Sequence, residues 1–360
     1  MATVADLVDE LERIAPPELA EDGDRIGLQV GSPASEVRRV CVAVDVTDRV
    51  IEQALARNAG LIVSHHALIY APLTSVAEGT PVTDRIARLI RANAAVFVMH
   101  TNYDVADGGV NDVLADKLGV KECCVLEPRK REKLYKVAVF VPEEAIEKVR
   151  GAMANSGAGV IGQYSHCSFR TRGTGSFLPS ESARPHVGSS GKLEEVDEFR
   201  LEMICSGSQL DAVVASMTDA HPYEEVAYDV YELANPPITR GYGRVGTLDA
   251  AMSLADFAER VRRELDVRYL RVFGDSDKRV SRVALLGGGG SSDYKLAAAS
   301  GADVYVTGDM SHHDILDANA LGLAIIDAGH FETERPGMLA LVERLRDAFP
   351  GASLDVDYVE

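Results

Sequence analysis

The chain has 360 residues, of which 46% are hydrophobic, and a chain of this length usually folds into two or three domains. Its net charge of -19 and pI near 4.9 disfavour tight binding to nucleic acid, which needs Lys and Arg clusters. The sequence has no run of about 18 apolar residues and no basic-then-apolar leader, so we expect no membrane partner. Five cysteines without paired spacing favour free thiols and a cytoplasmic location.

The first third of the chain alternates between helical and strand periodicity. Thr47-Asp48 is a helix N-cap signal, and Gly60 ends the helix that follows. Because parallel neighbours need crossover helices, this alternation predicts a β-α-β-α-β succession with a largely parallel sheet. The predicted helices are 4–14, 49–58, 84–93 and 110–118, and the predicted strands are 40–44, 61–63 and 95–99.

The last third repeats this pattern, and a different kind of region separates the two ends. The middle region has strand, helix and Gly/Ser-rich segments in an order that suits a small ferredoxin-like α+β insert domain at 127–243. We therefore predict an α/β protein in which residues 1–126 and 244–360 form two β-α-β-α-β halves of one metal-binding unit. The elements predicted near the end are strands 282–286, 303–306 and 323–326, and helices 294–300 and 313–320.

Two adjacent histidine pairs are the strongest sign of chemistry in a chain that has only nine histidines. His65-His66 comes directly after the predicted strand 61–63, and His312-His313 follows the strand that leads to Asp309. Such grouping points to a metal site, since imidazole is a common metal ligand. For His312-His313 the alternative is the solvated first turn of a capped helix, and the two interpretations are evenly balanced.

Two more predicted strands end in residues with ligand-type side chains. His100 and Asp104 follow one of these strands, and His330 and Glu334 follow the other. Parallel sheets bind ligands beyond the carboxyl ends of their strands, so we expect these residues to converge with His65. A mixed set of imidazoles and carboxylates suits Zn, Mn, Fe or Co and leaves Mg open.

A glycine run, Gly287-Gly288-Gly289-Gly290, lies between a predicted strand and a predicted helix. Its amides and the start of the helix could cradle a phosphate group. The alternative is a tight turn that requires glycine, and we favour this second interpretation.

Several motifs of the chain resemble those of one family, the dinuclear-metal-centre proteins known as GTP cyclohydrolase 1 type 2 homologs. Each motif alone is weak, but together they span nearly the whole chain. The stretch from His221 to Val230 also resembles the middle insert domain of some members. The other motifs are Gly27-Leu28-Gln29-Val30-Gly31, Ser64-His65-His66, His100-Thr101-Asn102-Tyr103-Asp104, Gly108-Gly109-Val110-Asn111-Asp112, Thr307-Gly308-Asp309, and Asp327-Ala328-Gly329-His330 with Glu334.

The resemblance implies two divalent metal ions per subunit and a toroidal homohexamer. The implied metal ligands are His65, His66, Asp104, His330 and Glu334. If Asp104 or Glu334 bridges the ions, five ligands leave open positions, which distinguish catalytic from structural sites. A pair of ions with open positions can activate water, so hydrolysis is the reaction that we expect.

Further side chains are candidates to orient these ligands or to act as acid or base. A helix that begins near Thr333 would align His330 and Glu334 only in part. The candidates around the ligands are Asp45, His100, Asp309, His312 and His313.

The chain departs from the family pattern at two places. Members commonly have Trp-Asp-Asn where this chain has Gly23-Asp24-Arg25, so the lining of the cleft is expected to differ. Ala67 stands where proline usually follows the histidine pair, which leaves the next loop less restricted in φ.

Two classes of function fit these observations. The first is a metal-dependent hydrolase that acts on a nucleotide or another small phosphorylated or cyclic substrate, and the open metal positions favour it. The second is a non-catalytic metal-binding ring with a regulatory or scaffold role. Turnover that depends on the metal distinguishes the two classes.

Overall fold

The computed structural model describes residues 2–183, 186–350 and 354–360 and has the predicted mixed α/β fold. The chain divides into two compact units, unit 1 (Met1–Arg129 with Arg240–Glu360) and unit 2 (Lys130–Thr239). The extent of an insert domain, 127–243, stays a prediction. Among the described helices, none combines the length and apolar composition that a membrane crossing needs.

The first segment of unit 1 begins with a capped helix. Thr3 accepts the amide of Asp6, and the Asp6 carboxylate accepts the amide of Thr3, so both ends of a capping box are present. The strands are β1 (Ala2–Thr3), β2 (Gly27–Val30), β3 (Glu36–Val37), β4 (Arg39–Ala43), β5 (Leu61–Ser64), β6 (Ala95–Val98) and β7 (Val120–Glu132). The helices are α1 (Val4–Ile14), α2 (Asp48–Ala56), α3 (Pro81–Arg91), α4 (Thr101–Val105) and α5 (Val110–Leu118).

Unit 2 follows a β-α-β-β-α-β order. Its elements are β8 (Leu134–Val141), α6 (Ile146–Asn155), β9 (Phe169–Phe177), β10 (Glu194–Ser206), α7 (Leu210–Ala220) and β11 (Tyr228–Glu232). The strands form an antiparallel sheet in the order β11-β8-β10-β9. One face of this sheet packs on both helices, with a core that includes Val139, Leu201, Val149 and Met217.

The last segment of unit 1 contains the rest of the strands and helices. The strands are β12 (Ile238–Ser253), β13 (Arg271–Phe273), β14 (Arg279–Gly289), β15 (Val304–Gly308), β16 (Ala324–Asp327) and β17 (Asp355–Tyr358). The helices are α8 (Leu254–Leu265), α9 (Tyr294–Ala299), α10 (His312–Ala320) and α11 (His330–Ala348).

Unit 1 has two larger sheets, each with a parallel centre. In one sheet β17, β4, β5 and β6 are parallel and β2 joins β6 in the antiparallel direction. In the other, β14, β15 and β16 are parallel, while β12 and β13 pair in the antiparallel direction. Because parallel strands run the same way, the residues that follow β5 and β6 leave one edge of their sheet, as do those that follow β15 and β16.

Helix α11 connects the two sheets. It packs against α5 and β14 and also against β4 and β17. Tyr103, which is fully buried, donates a hydrogen bond of 3.0 Å to the carbonyl of Gly337 in this helix. The helix therefore brings its first residues close to the ends of β5 and β6.

Candidate metal centre

The five predicted ligands come from three chain segments of unit 1. His65 and His66 follow β5, whose four residues are all buried. Their amides donate to the carbonyl of Val44 at the end of the neighbouring strand, which fixes the backbone of the pair. Asp104 lies in α4, directly after β6. His330 begins α11, earlier than the start near Thr333 that the sequence predicted, so His330 and Glu334 lie one turn apart on the same face.

The structure brings these five side chains together. The Nε2 atom of His65 lies 3.6 Å from Oδ1 of Asp104 and 3.5 Å from Oε1 of Glu334. The Nε2 atom of His330 lies 3.0 Å from Oε1 of Glu334 and 3.3 Å from Nε2 of His66. Donor atoms around a tetrahedral ion with bonds of about 2.0–2.1 Å lie roughly 3.4 Å apart, so most of these separations fit a shared cation.

Each of the histidines is held by an oxygen atom at Nδ1. His65 faces the carbonyl of Met99 at 2.8 Å, His66 faces Asp45 at 2.9 Å and His330 faces Asp309 at 2.7 Å. Carbonyl and carboxylate oxygens only accept, so Nδ1 carries the proton in each ring. In the neutral tautomers Nε2 is then an unprotonated donor atom for a metal, and the oxygen partners fix the orientation of the ring.

Several polar atoms of the cluster are buried and have no hydrogen-bond partner among the described residues. They are Nε2 of His65, Oδ1 of Asp104 and Oε2 of Glu334. Buried polar atoms are nearly always paired, and each exception calls for an explanation. All three belong to metal-ligand residue types. Nε2 of His65 faces Oδ1 of Asp104, and Oε2 of Glu334 faces Nε2 of His66, so divalent cations fit this set of donors.

The electrostatics of the cluster favour positive charge. Burial lowers the pKa of His66, but Asp45 and Glu334 outweigh burial and raise it to about 10. The hydrogen bond to Glu334 is the main effect that raises the pKa of His330 to about 9. Burial raises the pKa of Glu334, yet the surrounding histidines lower it well below its usual range. Protons and metal ions therefore compete for the same places.

Asp104 behaves differently from Glu334. Burial raises the pKa of Asp104 to about 6, although the charge of His65 opposes this shift. Its unpartnered Oδ1 points to the most enclosed part of the cluster, beside His65, which is fully buried. A cation at this position would keep Asp104 ionised at neutral pH.

His100, which was predicted only as an orienting or acid–base residue, lies within the cluster. Its ring centroid is 5.2 Å from that of His65 and 5.6 Å from that of His66. Two groups of possible ligand atoms each converge within 4.8 Å, His65–His66–His100 and His66–His330–Glu334. His66 belongs to both groups.

The other predicted neighbours have different positions. Asp45 and Asp309 each contact a ligand histidine, and Asp309 adopts a positive φ of 56°, which is uncommon outside glycine. His312 and His313 are exposed in the first turn of α10, where their rings contact each other. Among the described residues, the converging ligand groups do not include them. This position matches the capped-helix alternative.

Three residues support the site in a way that was not predicted from the sequence. Asp24 accepts hydrogen bonds from Nδ1 of His100 at 2.9 Å and from the amide of Thr101 at 3.1 Å. Asn111 is buried, donates to the carbonyl of Asp104 and accepts the amide of Gly287, so it joins the two halves of the site. Asp24 and Asn111 stand within or beside the motifs named above, but their partners are distant in sequence.

The third missed residue is Gly288. It has a positive φ of 78°, and a Cβ atom there would lie 2.4 Å from Oε1 of Glu334. The glycine run therefore forms a wall of the site. Three of its four amides are already used, because Gly287, Gly288 and Gly290 donate to Asn111, Thr333 and Gly308. These bonds favour the tight-turn interpretation over a phosphate cradle.

Comparison with known proteins places this geometry in a family. Residues 2–360 match the family model described as Duf34/NIF3 (NGG1p interacting factor 3). A Bacillus subtilis protein named GTP cyclohydrolase 1 type 2 homolog is 44% identical over 325 residues, which cover 90% of this chain and 87% of the relative. A protein of the same name from Halalkalibacterium halodurans is 41% identical and covers 98% and 95%.

Solved structures agree with the sequence matches. A Bacillus cereus protein related to NIF3 superposes with a TM-score of 0.87 at 42% identity and covers 100% of this chain and 97% of its own. A Staphylococcus aureus protein has a TM-score of 0.72 at 29% identity and covers 99% and 96%. The chain, with its cluster of metal-ligand side chains at the ends of parallel strands, therefore belongs to the Duf34/NIF3 family, as its motifs predicted.

Proposed function

We propose that this protein is a metal-dependent hydrolase that holds two divalent cations per subunit. One observation carries the proposal: unpartnered, buried donor atoms of His65, Asp104 and Glu334 converge with the Nε2 atoms of His66 and His330. No pairing among these side chains satisfies all of these atoms. Cations of charge two would do so.

The division of ligands supports two ions rather than one. His66 takes part in both converging groups, and Glu334 presents one oxygen to His65 and His330 and the other to His66 at 3.5 Å. His65, His66, Asp104, His330 and Glu334 would hold the ions, and Glu334 would contribute an oxygen atom to each of the two groups. When bound, such a pair of ions supplies Lewis acidity that activates water and polarises the scissile bond.

We assign proton transfer to His100. Asp24 holds its Nδ1, so Nε2 faces the cluster, and the side chain is half-buried rather than enclosed. His100 also lines a cavity of about 320 Å³ together with Asp24, Arg25 and Tyr70. A histidine that is oriented by a carboxylate and reaches both a cavity and the metal ligands can take up or release a proton during hydrolysis.

The same cavity supports a nucleotide as substrate. Arg25 offers a guanidinium group to a phosphate, and Tyr70, which is 78% exposed, offers a ring on which a base can stack. The relatives carry the name GTP cyclohydrolase 1 type 2 homolog, which makes GTP the first nucleotide to test. Other small phosphorylated or cyclic compounds form the rest of the panel.

The test combines metal content with turnover. Protein purified without chelator or a nickel column is analysed by elemental mass spectrometry, and we expect near two equivalents of Zn, Mn, Fe or Co per chain. Protein loaded with that metal is then assayed on the panel, with Asp104→Asn as the variant that loses activity. Two retained equivalents without turnover on the panel would identify the alternative, a non-catalytic regulatory or scaffold ring.

We also propose, from the family resemblance, that the chain forms a toroidal homohexamer and has no nucleic-acid or membrane partner. The expected mass is six times the 38.7 kDa of the chain. Light scattering measures it directly, and a monomeric mass at micromolar concentration would exclude the hexamer.

A further inference from the structure

Unit 2 contains a cavity of about 450 Å³ that is unrelated to the metal ligands. It lies on the face of the sheet opposite to α6 and α7. Val139 of β8 and Phe199 of β10 belong to the core that packs on these helices. Because side chains alternate along a strand, their neighbours Phe140 and Glu198 point to the other face, where both line the cavity.

Most of the cavity wall is apolar. Phe140, Phe177 and Tyr223 supply aromatic rings, and Ala227 lies beside them. A volume of this size and composition is typical of sites for small molecules. The aromatic faces also carry negative charge density, which attracts cations.

Glu198 places a carboxylate in this apolar wall. The residue is only 9% exposed, and among the described residues no cation lies within 4.0 Å of it. Arg200, the basic residue on the same strand, pairs with Glu202 at 2.8 Å instead. A buried carboxylate with no cation beside it among the described residues is costly, and the nearby Tyr223 hydroxyl is a neutral group that does not compensate its charge.

A second polar group lies beside Glu198. The Tyr223 hydroxyl is buried and close to the Glu198 carboxylate, and it makes no hydrogen bond of ordinary geometry with the described residues. Burial, and then the Glu198 carboxylate, raises the pKa of Tyr223 above its usual range, so the phenol stays protonated.

His221 fixes the position of Tyr223. Its Nε2 donates to the carbonyl of Phe140 at 3.0 Å, and its Nδ1 accepts the amide of Tyr223 at 3.1 Å. Both nitrogens of His221 are therefore used within the fold. Glu198 and Tyr223 are the polar groups beside the aromatic rings, and His186, Glu224 and Glu225 also line the cavity.

Gly175 leaves the space that the carboxylate needs. A Cβ atom at this position would lie 2.3 Å from Oε2 of Glu198. The cavity thus combines aromatic walls, a carboxylate with no described cation beside it and a buried phenol next to that carboxylate.

We propose that this cavity binds a small organic cation, an ammonium group on an apolar or aromatic body. The ammonium group donates to the Glu198 carboxylate and to the Tyr223 oxygen, and the rings of Phe140 and Phe177 cover the body. A neutral molecule of the same shape would leave Glu198 unpaired, and an anion would be repelled by it. The site is independent of the proposed hydrolysis at the metal centre.

Isothermal titration calorimetry on the full-length protein tests the proposal, with 2-phenylethylammonium as probe and 2-phenylethanol as its neutral match. We expect binding of the ammonium probe and at least about tenfold weaker binding after Glu198→Gln, because a charged hydrogen bond is lost. Glu195→Gln is the matched control, since Glu195 is exposed on the same strand and does not line the cavity. This control should leave the affinity unchanged.

A second variant keeps the test decisive if Glu198→Gln fails to fold. Ala227→Phe adds a ring at an exposed wall position and should abolish binding while thermal stability is retained. The proposal is overturned if the ammonium probe does not bind at about 10 mM, or if 2-phenylethanol binds equally well. It is also overturned if Ala227→Phe changes the oligomeric mass in light scattering, because the cavity then belongs to an interface between copies of the chain.

Discussion

Two buried carboxylates, Glu334 in unit 1 and Glu198 in unit 2, differ in what surrounds them. Glu334 is 3% exposed and has the Nε2 atoms of three histidines within 3.0–3.5 Å. Glu198 is 9% exposed and has aromatic neighbours but, in the part of the chain that the structure describes, no cation within 4.0 Å. Burial of charge must be compensated in both cases. The surroundings determine the kind of cation that can do so.

The surroundings of Glu334 and Glu198 also differ in rigidity. The histidines around Glu334 are each fixed at Nδ1 by an oxygen atom, so their Nε2 atoms define positions for a bare metal ion. Around Glu198 the cavity wall also holds His186, Glu224 and Glu225, but among the described residues these side chains do not converge into a group that could hold a metal ion. An organic cation is therefore the better complement there.

The largest effect is expected from Glu334→Gln. Removing the carboxylate shared by the two groups should lower the metal content by at least one equivalent and the affinity of the rest by at least about 100-fold. Elemental mass spectrometry after dialysis measures this change. Glu343→Gln, at an exposed position of the same helix where Glu343 pairs with Arg346, is the control and should keep all the metal. Full metal content in Glu334→Gln would contradict the assignment.

The glycine wall gives the next largest effect. Gly288→Ala should lower the free energy of unfolding by about 1–3 kcal/mol and displace Glu334, since the new Cβ meets its carboxylate at 2.4 Å. Gly301→Ala is a matched control, because Gly301 has nearly the same φ, 77°, and nothing within 4 Å of the added atom. It should cost only about 1 kcal/mol and leave the metal in place. Thermal unfolding and metal analysis compare the two variants. Equal metal contents would contradict the role of Gly288 as a wall of the metal site.

Much of this site could be predicted because its ligands follow strongly patterned strands. The strand before His65 and the one before His100 consist of continuous apolar residues, so their ends and the polar residues after them were visible in the sequence. The helix Val4–Ile14 was predicted with its observed bounds for the same reason, a clear 3.6-residue period.

The parts that could not be predicted depend on contacts between distant segments. Asp24 lies 76 residues from His100, and Asn111 lies 176 residues from Gly287, and neither pairing leaves a local pattern. The start of α11 at His330 was also missed, because Gly329 ahead of it, at φ 91°, has no side chain with which to cap the helix. These features depend on tertiary contacts, which local sequence patterns do not show.

The dependence of stability on pH should separate metal-free from metal-loaded protein. Burial lowers the pKa of His66, but the neighbouring carboxylates outweigh it and raise this pKa from 6.5 to about 10. The pKa of His330 is raised from 6.5 to about 9. In metal-free protein this contribution to stability is fully present below pH 6.5 and is lost as the pH rises through 9 to 10.

Urea midpoints at pH 6.5 and at pH 9.5 measure this contribution. We expect the urea midpoint of chelator-treated protein to be lower at pH 9.5 than at pH 6.5. Metal-loaded protein has no proton to lose at these nitrogens, so its midpoint should not decrease in this way. A parallel fall in both forms would mean that groups outside the cluster control the dependence.

The smallest effect is expected at Glu198 in the absence of any ligand. If its carboxylate is buried without a partner, Glu198→Gln removes a cost and should raise the stability of the protein by about 1 kcal/mol, as often happens when a group kept for binding is replaced. The urea midpoint measures the change, and Glu195→Gln should stay within about 0.5 kcal/mol of the parent. Destabilisation by Glu198→Gln would show that the carboxylate has a structural partner. Glu198 would then resemble Glu334 in having its charge satisfied within the site, and an organic cation would no longer be needed to explain its burial.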